Sequence, residues 1–468
     1  MRRRIISCIL LIIICFSSAV AYGNSGPTYW SGYPAADVMV VQENSPIEIT
    51  KEILRFDFTT IGIESFTLMG EVEATYHMMN SNDKEEAVQM AFPYIGNLSD
   101  RNTKAPVPFI DGIPISYQLY LGEPIGNHQE TREKAFNFAS ILNGITKEPY
   151  QAKHFSINEI GRQYRIKVNT KLEDGINLKV SFPFDSEKSK IISSGFNGYA
   201  GSQNEMVLSA RLRNDEVLEI FVLGEDIPFD IVGYTNGEAT VESTAFEHTV
   251  DVEEISFKEY FDHLIKDALP EAYAGSLAEN QLYNHYARGL DRIFDQENGY
   301  FSEEHLSGLR SQDHIMTLVY DVDFAAKEER EVKVQYVASG TMDKTRTKTP
   351  LYTFDYILNP ASNWAAFQDL TIEVKTPDVA PYVVKSTIPL TKNEDGIYGA
   401  NLAQLPQEDF TFVLYEREKV TFFDELYGGI NRQFGYLTPV VFIVVGVLGS
   451  VGIAVFIIGK KRKKLIGR

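Results

Sequence analysis

The sequence predicts a mainly β (α+β) protein with two antiparallel β-sandwich-like domains, a helical insert between them, and one C-terminal transmembrane helix. Apolar and polar residues alternate through most of the chain, as in strands with one buried face. Helix-start signals interrupt this alternation near the middle, and a long uncharged segment lies near the C-terminus. The predicted segments are residues 1–23 (signal peptide), 24–254 (N-terminal β-sandwich-like region with a short helical insert), 255–312 (helical segment), 313–430 (C-terminal β-sandwich-like domain), 437–459 (transmembrane helix) and 460–468 (basic cytoplasmic tail).

The two ends of the chain predict where the protein resides. Leu437–Gly459 carries no charge and, as a helix, is long enough to cross the roughly 30 Å hydrocarbon core of a bilayer. The basic run Lys460–Lys464 behind it is typical of a cytoplasmic flank. Arg2–Arg4, the apolar Ile5–Phe16 and the small residues of Ser17–Ala21 are typical of a secretory signal. We therefore expect a single-pass type I plasma-membrane protein that contacts the lipid bilayer through Leu437–Gly459, with its ectodomain outside and its C-terminus in the cytoplasm.

Charge and cysteine content restrict the partners and the source. The net charge is −20, and leaving out three signal arginines and six basic tail residues gives the exported region a charge near −29. This excludes nucleic acid, because phosphate binding needs clustered Lys and Arg. Such acidity is typical of a solvated surface, and binding of calcium or a cationic wall component is the alternative. Cys8 and Cys15 both fall in the signal, so the exported region has no disulfide, which favours a bacterial, Gram-positive protein.

Three segments are predicted as β-hairpins: Phe66–Phe92, Tyr164–Phe182 and Met316–Tyr336. The first and third share a Lys-Glu-Glu turn and a Val-Gln-apolar continuation, which indicates two related β units. Turns are expected at Asp111-Gly112 and Asp395-Gly396. Further strands are predicted at Ile47–Phe58, Ile115–Tyr120, Glu216–Leu223, Tyr352–Leu358, Leu370–Val374 and Phe410–Leu414.

Helices are predicted in two places. His128–Asn143 has one apolar face and stops at Gly144. Ser256–Glu259 and Ser276–Glu279 both have the capping-box pattern, serine with glutamate three residues on, and each precedes an apolar periodic run. A further helical turn is expected near Ser302–Leu309.

One part of the chain resembles a known family. Glu73–Pro93, followed by Ile110-Asp111-Gly112 and the Arg132–Phe136 helix, resembles the start of VIT-type β domains in its spacing. The von Willebrand A domain that usually accompanies that family, with its DxSxS metal motif, is absent from this sequence. The resemblance therefore implies a β fold and no function.

The sequence contains no HExxH, GxSxG, Walker or nucleotide GxGxxG motif, so no catalytic residue is predicted. Glu259, His263 and Asp267 share a helix face and would suit either zinc or acid–base chemistry, or simply a solvated surface. Asp295–Gly299 and Asn393–Gly396 imitate calcium loops but fail the EF-hand register. We predict no cofactor and no metal-ligating residues, with calcium as the remaining alternative.

Two residue groups are candidates for contacts with partners. Trp364 and Phe367 follow the loop residues Asn359–Asn363, which is consistent with partial exposure of Trp364 and a role for both as surface binding aromatics, with a place in the β core as the alternative. Gly446, Ser450 and Ala454 have small-xxx-small spacing, which favours a helix-packing face in a membrane, with contact to lipid as the alternative.

These features predict a membrane-anchored bacterial cell-surface protein with an acidic extracytoplasmic ectodomain, which acts as a binding/adhesion or structural module rather than as an enzyme. Two alternatives remain open. The chain could be an accessory or sensory subunit of a membrane complex that works through its helix, or a cell-surface enzyme of unrecognised type. The expected partner is a membrane protein or a cell-wall ligand.

Overall fold

The computed structural model of the chain describes residues 29–466, with gaps at 31, 33–34, 37, 42–44, 65, 100–104, 126–137, 202–203, 214, 267–268, 270–272, 274, 359–363 and 435–436. From residue 457 onward it describes the backbone alone. The predicted signal peptide, most of the helix predicted at His128–Asn143, and Asp267 therefore lie outside the described residues.

The described chain is mainly β, as predicted. Its strands are β1 (Tyr29–Trp30), β2 (Ala35–Ala36), β3 (Met39–Val40), β4 (Ile47–Glu64), β5 (Thr67–Asn80), β6 (Glu86–Gly96), β7 (Val107–Ile110), β8 (Ile113–Pro114), β9 (Gln118–Pro124), β10 (Ile160–Thr170), β11 (Ile176–Pro183), β12 (Ser189–Ser194), β13 (Gly198–Gly201), β14 (Glu205–Leu212), β15 (Glu216–Gly224), β16 (Asp230–Tyr234), β17 (Glu242–Ser243), β18 (Phe246–Ser256), β19 (Tyr300–Ser302), β20 (His314–Phe324), β21 (Glu329–Ser339), β22 (Thr341–Asp343), β23 (Leu351–Ile357), β24 (Leu370–Lys375), β25 (Tyr382–Ser386), β26 (Thr391–Lys392), β27 (Tyr398–Leu402) and β28 (Phe410–Tyr415). Its helices are α1 (Phe138–Gly144), α2 (Phe257–Ile265), α3 (Gln281–Gln296), α4 (Glu303–Ser311), α5 (Phe422–Phe434) and α6 (Thr438–Ile466).

The larger β unit contains three sheets around one hydrophobic core. An eight-stranded sheet has the order β26-β27-β24-β4-β5-β21-β7-β8, and a four-stranded sheet has the order β3-β6-β20-β9. The third sheet has the order β1-β22-β23-β28-β25, with β2 also paired to β23. Aromatic residues fill much of the shared core, and the rings of Phe58 and Phe354 lie 4.2 Å apart between centroids.

The smaller β unit is a sandwich of two five-stranded sheets. Their orders are β18-β10-β15-β12-β19 and β13-β14-β11-β16-β17. Ile166, Val180, Leu208 and Ile220 are among the apolar residues of a core distinct from that of the larger unit. Two β units were predicted, but both sheets of this one come mainly from residues 160–256, the middle of the chain.

The predicted domain boundaries are wrong because strands pair across them. β5 pairs antiparallel with β21, from Met79 opposite Glu329 to Met69 opposite Ser339. β4 pairs in parallel with β24. Strands from the predicted 24–254 and 313–430 domains therefore form one sheet and one core. The helices predicted between them exist, and α2, α3 and α4 contribute to that same core instead of acting as a spacer.

The three predicted hairpins contain the expected strands, but the strands of each do not pair with one another. β5 lies in the eight-stranded sheet and β6 in the four-stranded sheet, and β20 and β21 are divided in the same way. β10 and β11 likewise belong to opposite sheets of the smaller unit. Each connection crosses between sheets, whose faces pack about 10 Å apart. Side chains alternate with period two both in a hairpin and in two strands that lie in facing sheets, so the sequence pattern cannot distinguish a hairpin from a connection between sheets.

The helix-start predictions have mixed outcomes. Ser256 caps α2, since its side chain accepts a hydrogen bond from the Glu259 amide. The second capping box is wrong: α3 begins only after Asn280, which makes no side-chain cap. Ser276 instead accepts a hydrogen bond through its carbonyl from the Leu119 amide at 2.7 Å, so this segment continues the sheet edge.

A row of polar side chains on α3 holds residues 145–157, an extended segment without regular structure. Asn284 accepts a hydrogen bond from the Tyr150 amide at 2.7 Å. The buried Asp291 carboxylate accepts three, from the Tyr150 hydroxyl at 2.9 Å and from the amides of Lys153 and His154 at 2.7 and 3.1 Å. These side chains satisfy the backbone of a segment that has no strand partner.

The C-terminal region contains the helices α5 and α6. α6 covers the segment predicted to cross a membrane, and the side chains of the basic run behind it lie outside the described residues. None of the helices in the described part of the chain combines the length and the apolar character that a membrane span requires. The transmembrane helix predicted at Leu437–Gly459 is therefore not supported.

Candidate ligand-binding cleft

A cleft of about 310 Å³ lies on the outward face of the eight-stranded sheet. Its floor is formed by β4, β5 and β21, and the start of β7 stands at its side. A volume of this size lies at the lower end of the range for small-molecule sites. The lining residues are Arg55, Asp57, Glu71, Val72, Glu73, Ala105, Val107, Gln335, Tyr336 and Val337.

The alternation of β4 explains why polar side chains line the cleft. Leu54, Phe56 and Phe58 are buried in the core. Because successive side chains of a strand point to opposite faces, Arg55 and Asp57 must point outward. The same local pattern that stabilises the core therefore supplies the polar surface of the site.

Strand register then brings four polar residues into one row. Glu373, Arg55, Glu73 and Gln335 are direct neighbours across β24, β4, β5 and β21. Arg55 donates from Nε to Glu373 Oε2 at 2.8 Å and from Nη1 to Glu73 Oε1 at 3.2 Å. Gln335 Nε2 donates to Glu73 Oε2 at 2.8 Å, and Lys333 Nζ lies 3.3 Å from the same oxygen. This row holds the planar side chains in a fixed arrangement.

The contacts within the row favour the charged forms of Glu73 and Arg55. Burial raises the pKa of Glu73, but the hydrogen bond from Gln335 and the charges of Lys333 and Arg55 outweigh it, so this pKa lies below its ordinary value. The hydrogen bond to Glu373 is the main cause of a raised pKa at Arg55, with burial acting against it. Asp57 also has a lowered pKa, because hydrogen bonds from Thr59 and the charge of Lys375 exceed the effect of burial.

Glu71 is the lining carboxylate best placed to accept a ligand. It stands directly opposite Asp57 across β4 and β5, is exposed, and has no ion-pair partner among the described residues. Asp57 is already paired with Lys375, whose Nζ lies 3.0 Å from its Oδ2, so Glu71 is the carboxylate of the two that is left for a ligand. A ligand that donates hydrogen bonds or carries positive charge would be favoured beside Glu71, whereas an anion would be repelled.

The residues predicted to bind partners lie elsewhere. Trp364 is only 5% exposed, and its indole nitrogen donates to the Val38 carbonyl at 3.3 Å. Phe367 packs against the same core. The partial exposure expected for Trp364 is therefore wrong, because its ring is buried and its nitrogen bonds to the backbone of Val38, 326 positions away, which no local pattern indicates.

The predicted membrane-packing face is helical, as expected, but its packing partner stays a prediction. Ser450 Oγ donates to the Gly446 carbonyl at 2.8 Å, which satisfies the hydroxyl within the helix. A Cβ built on Gly446 would meet nothing within 4 Å. Ala454 lies one turn further along the same exposed surface.

The structure also shows where the side chains considered as possible metal ligands lie. Within the described ranges, no three His, Cys, Asp or Glu side chains are placed to hold one metal ion. Glu259 and His263 lie on the exposed side of α2. The two calcium-like segments form turns, with Gly299 and Gly396 at positive φ.

Comparison with known proteins gives little further guidance. No protein-family model matches the chain, and no curated protein matches it. A solved Legionella pneumophila structure described as a "putative nutrient binding protein" is similar over 88% of this chain and 76% of that chain, with 9% sequence identity and a TM-score of 0.35. Similarity at this level carries no argument about function.

Proposed function

We propose that this chain is an extracytoplasmic binding protein whose cleft between β4, β5 and β21 holds a neutral, hydroxyl-rich ligand of about disaccharide size. The observation that carries the proposal is the ordered row Glu373–Arg55–Glu73–Gln335 beside the exposed Glu71. Planar carboxylate, guanidinium and amide groups offer paired hydrogen-bonding positions that suit vicinal hydroxyls.

The net charge of the cleft lining favours neutral over anionic ligands. The lining carries one cation and three carboxylates, so its net charge is negative. Phosphorylated or sulfated ligands would meet unfavourable electrostatics here, whereas neutral sugars would not. A neutral glycan of the cell surface is thus favoured over an acidic polymer.

The test is direct binding, followed by substitution in the cleft. The purified protein is screened on an array of neutral and acidic glycans, and the titration is repeated by calorimetry with N,N′-diacetylchitobiose and cellobiose. Glu71→Gln and Glu73→Gln should each weaken binding of a neutral glycan by about tenfold or more, since hydrogen bonds to a charged group contribute about 1.5–3 kcal/mol.

The smaller β unit offers a matched control. Glu219 also lies between an arginine and a glutamine, 3.5 Å from Arg165 Nε and 3.3 Å from Gln163 Nε2, but it lies outside the cleft. Glu219→Gln should leave binding unchanged. Failure of every neutral glycan to bind, or an equal loss in Glu219→Gln, would exclude the cleft as the binding site.

The same proposal locates the binding body outside the plasma membrane and attaches the chain there through its C-terminal helices. Support comes from the sequence, with its signal-like N-terminus and the uncharged segment followed by Lys460–Lys464. Protease added to intact protoplasts should degrade the β units. A protease-protected fragment that contains both β units would contradict a location outside the plasma membrane.

A further inference from the structure

α5 packs on the protein with its polar side. Its buried residues are Asp424 and Gly428, one turn apart on one face of the helix. Asp424 accepts a hydrogen bond from the Thr421 amide at 3.0 Å, and Thr421 Oγ1 accepts one from the Asp424 amide at 3.3 Å, which together cap the helix. An amphipathic helix on a globular protein normally buries its apolar face, so this orientation is reversed.

Gly428 brings the helix into close backbone contact with the larger β unit. A Cβ built on Gly428 would lie 2.1 Å from the Arg346 carbonyl carbon and 2.4 Å from the Thr347 nitrogen. Only glycine permits this approach, because any side chain would occupy the space of the neighbouring backbone. The polar face is therefore the fixed face of α5.

The opposite face presents large apolar side chains to the outside. Phe422 and Phe423 are 72% and 77% exposed, and Leu426 and Phe434 are also exposed. Helical spacing puts these residues within one broad stripe. Exposed apolar clusters of this kind mark interaction surfaces.

This apolar stripe continues onto α6. Tyr427 stacks on Phe442 of α6, with ring centroids 5.2 Å apart and an interplanar angle of 10°. Exposed aliphatic residues then follow on several sides of α6, among them Val440, Val444, Leu448 and Val455. Together with the stripe on α5, these side chains form a contiguous exposed apolar surface, which indicates contact with an apolar partner.

We infer that α5 lies in the headgroup region of a lipid bilayer, with Phe422, Phe423 and Leu426 inserted toward the acyl chains. This inference rests on the membrane attachment in the proposed function and adds a second point of contact to it. The apolar stripe supplies the insertion energy, as in other helices that lie along a membrane surface. Because Gly428 ties α5 to the β unit, insertion would also fix the orientation of that unit relative to the membrane.

Single-cysteine labelling of the full chain tests the orientation of α5. The native cysteines are Cys8 and Cys15, so Cys8→Ser and Cys15→Ser leave no other thiol. Phe423→Cys and Leu426→Cys place an NBD fluorophore on the apolar stripe, and Glu425→Cys places it on the neighbouring polar side of the same helix. Each labelled protein is reconstituted into vesicles of equal parts phosphatidylethanolamine and phosphatidylglycerol, with and without doxyl-labelled lipid.

Labels at 423 and 426 should show blue-shifted emission and severalfold stronger doxyl quenching than the label at 425. Water-like emission at 423 and 426 in protein that floats with the vesicles would overturn the inference while leaving the membrane attachment intact. Protein that does not float would overturn both. Blue-shifted emission without lipid quenching, which increases with the protein-to-lipid ratio, would identify a second copy as the partner and overturn the lipid contact.

Discussion

Replacing Gly428 with alanine tests how firmly α5 is held against the larger β unit. The new Cβ would lie 2.1 Å from the Arg346 carbonyl carbon and 2.3 Å from its oxygen, where real contacts are almost never below 3.0 Å. These are backbone atoms, which cannot rotate away, so the helix or the neighbouring loop must shift by about 1 Å.

Two effects of opposite sign contribute to the result. Alanine favours the helix itself by about 1 kcal/mol relative to glycine. Overpacking against fixed atoms costs about 1–3 kcal/mol, and a backbone contact this short belongs at the upper end. We therefore expect the free energy of opening of α5 to fall by about 2 kcal/mol, although the helix has a better intrinsic propensity.

The adjacent glycine provides the control. A Cβ built on Gly429 would meet nothing within 4 Å, so Gly429→Ala should show the gain of about 1 kcal/mol alone. Native-state hydrogen exchange of amides in α5 and residues 343–349 measures the difference. The two variants should differ by about 3 kcal/mol, on the order of a hundredfold in the opening equilibrium. Equal exchange in both would show that the close contact does not form.

Two further substitutions test buried polar groups. Asp291→Ala should lower the free energy of unfolding by about 3 kcal/mol and expose residues 145–157 to limited proteolysis. As the control, Asp295→Ala should lower it by under about 1 kcal/mol, because Asp295 is half-exposed. Equal losses of stability in the two variants would contradict the conclusion that Asp291 holds residues 145–157. Burial and the neighbouring His314 lower the pKa of His285 from 6.5 to about 3, so between these values the unfolded chain binds a proton that the folded chain does not. Between pH 8 and pH 5 the free energy of unfolding of the native protein should therefore fall by about 2 kcal/mol more than that of His285→Gln, as measured by urea unfolding. Parallel pH profiles of the two proteins would refute the lowered pKa of His285.

The strands could be predicted from sequence because burial on one face is a local property. Leu54, Phe56 and Phe58 alternate with polar residues, and each is buried as the pattern indicates. β4 pairs on one side with its neighbour in sequence, β5, but its other partner, β24, lies more than 300 positions away, and no local pattern indicates that pairing. The same limit explains why strands such as β5 and β6 were expected to form a hairpin, when each pairs with a strand from the other end of the chain.

The cleft was missed for the same reason. Arg55, Glu73, Gln335 and Glu373 have no motif spacing, and only the register of four strands makes them neighbours. α5 was missed although a local signal existed, since Thr421-Phe422-Phe423-Asp424 has capping-box spacing. The paired glycines that follow weaken the helical pattern, and their purpose appears only where Gly428 meets the backbone of Arg346.

The cleft depends on how the strand pair β5–β6 packs against the strand pair β20–β21, since each pair contributes one strand to the eight-stranded sheet and one to the four-stranded sheet. β5 and β21 supply Glu71, Glu73 and Gln335, and they lie side by side because β5–β6 and β20–β21 pair strand for strand in both sheets. Their turns also meet, where Lys327 Nζ donates to the Ser81 carbonyl at 2.6 Å. The polar row therefore requires both ends of the chain to be folded together, and neither half could form it alone. A binding surface built in this way exists only once the complete larger unit has assembled.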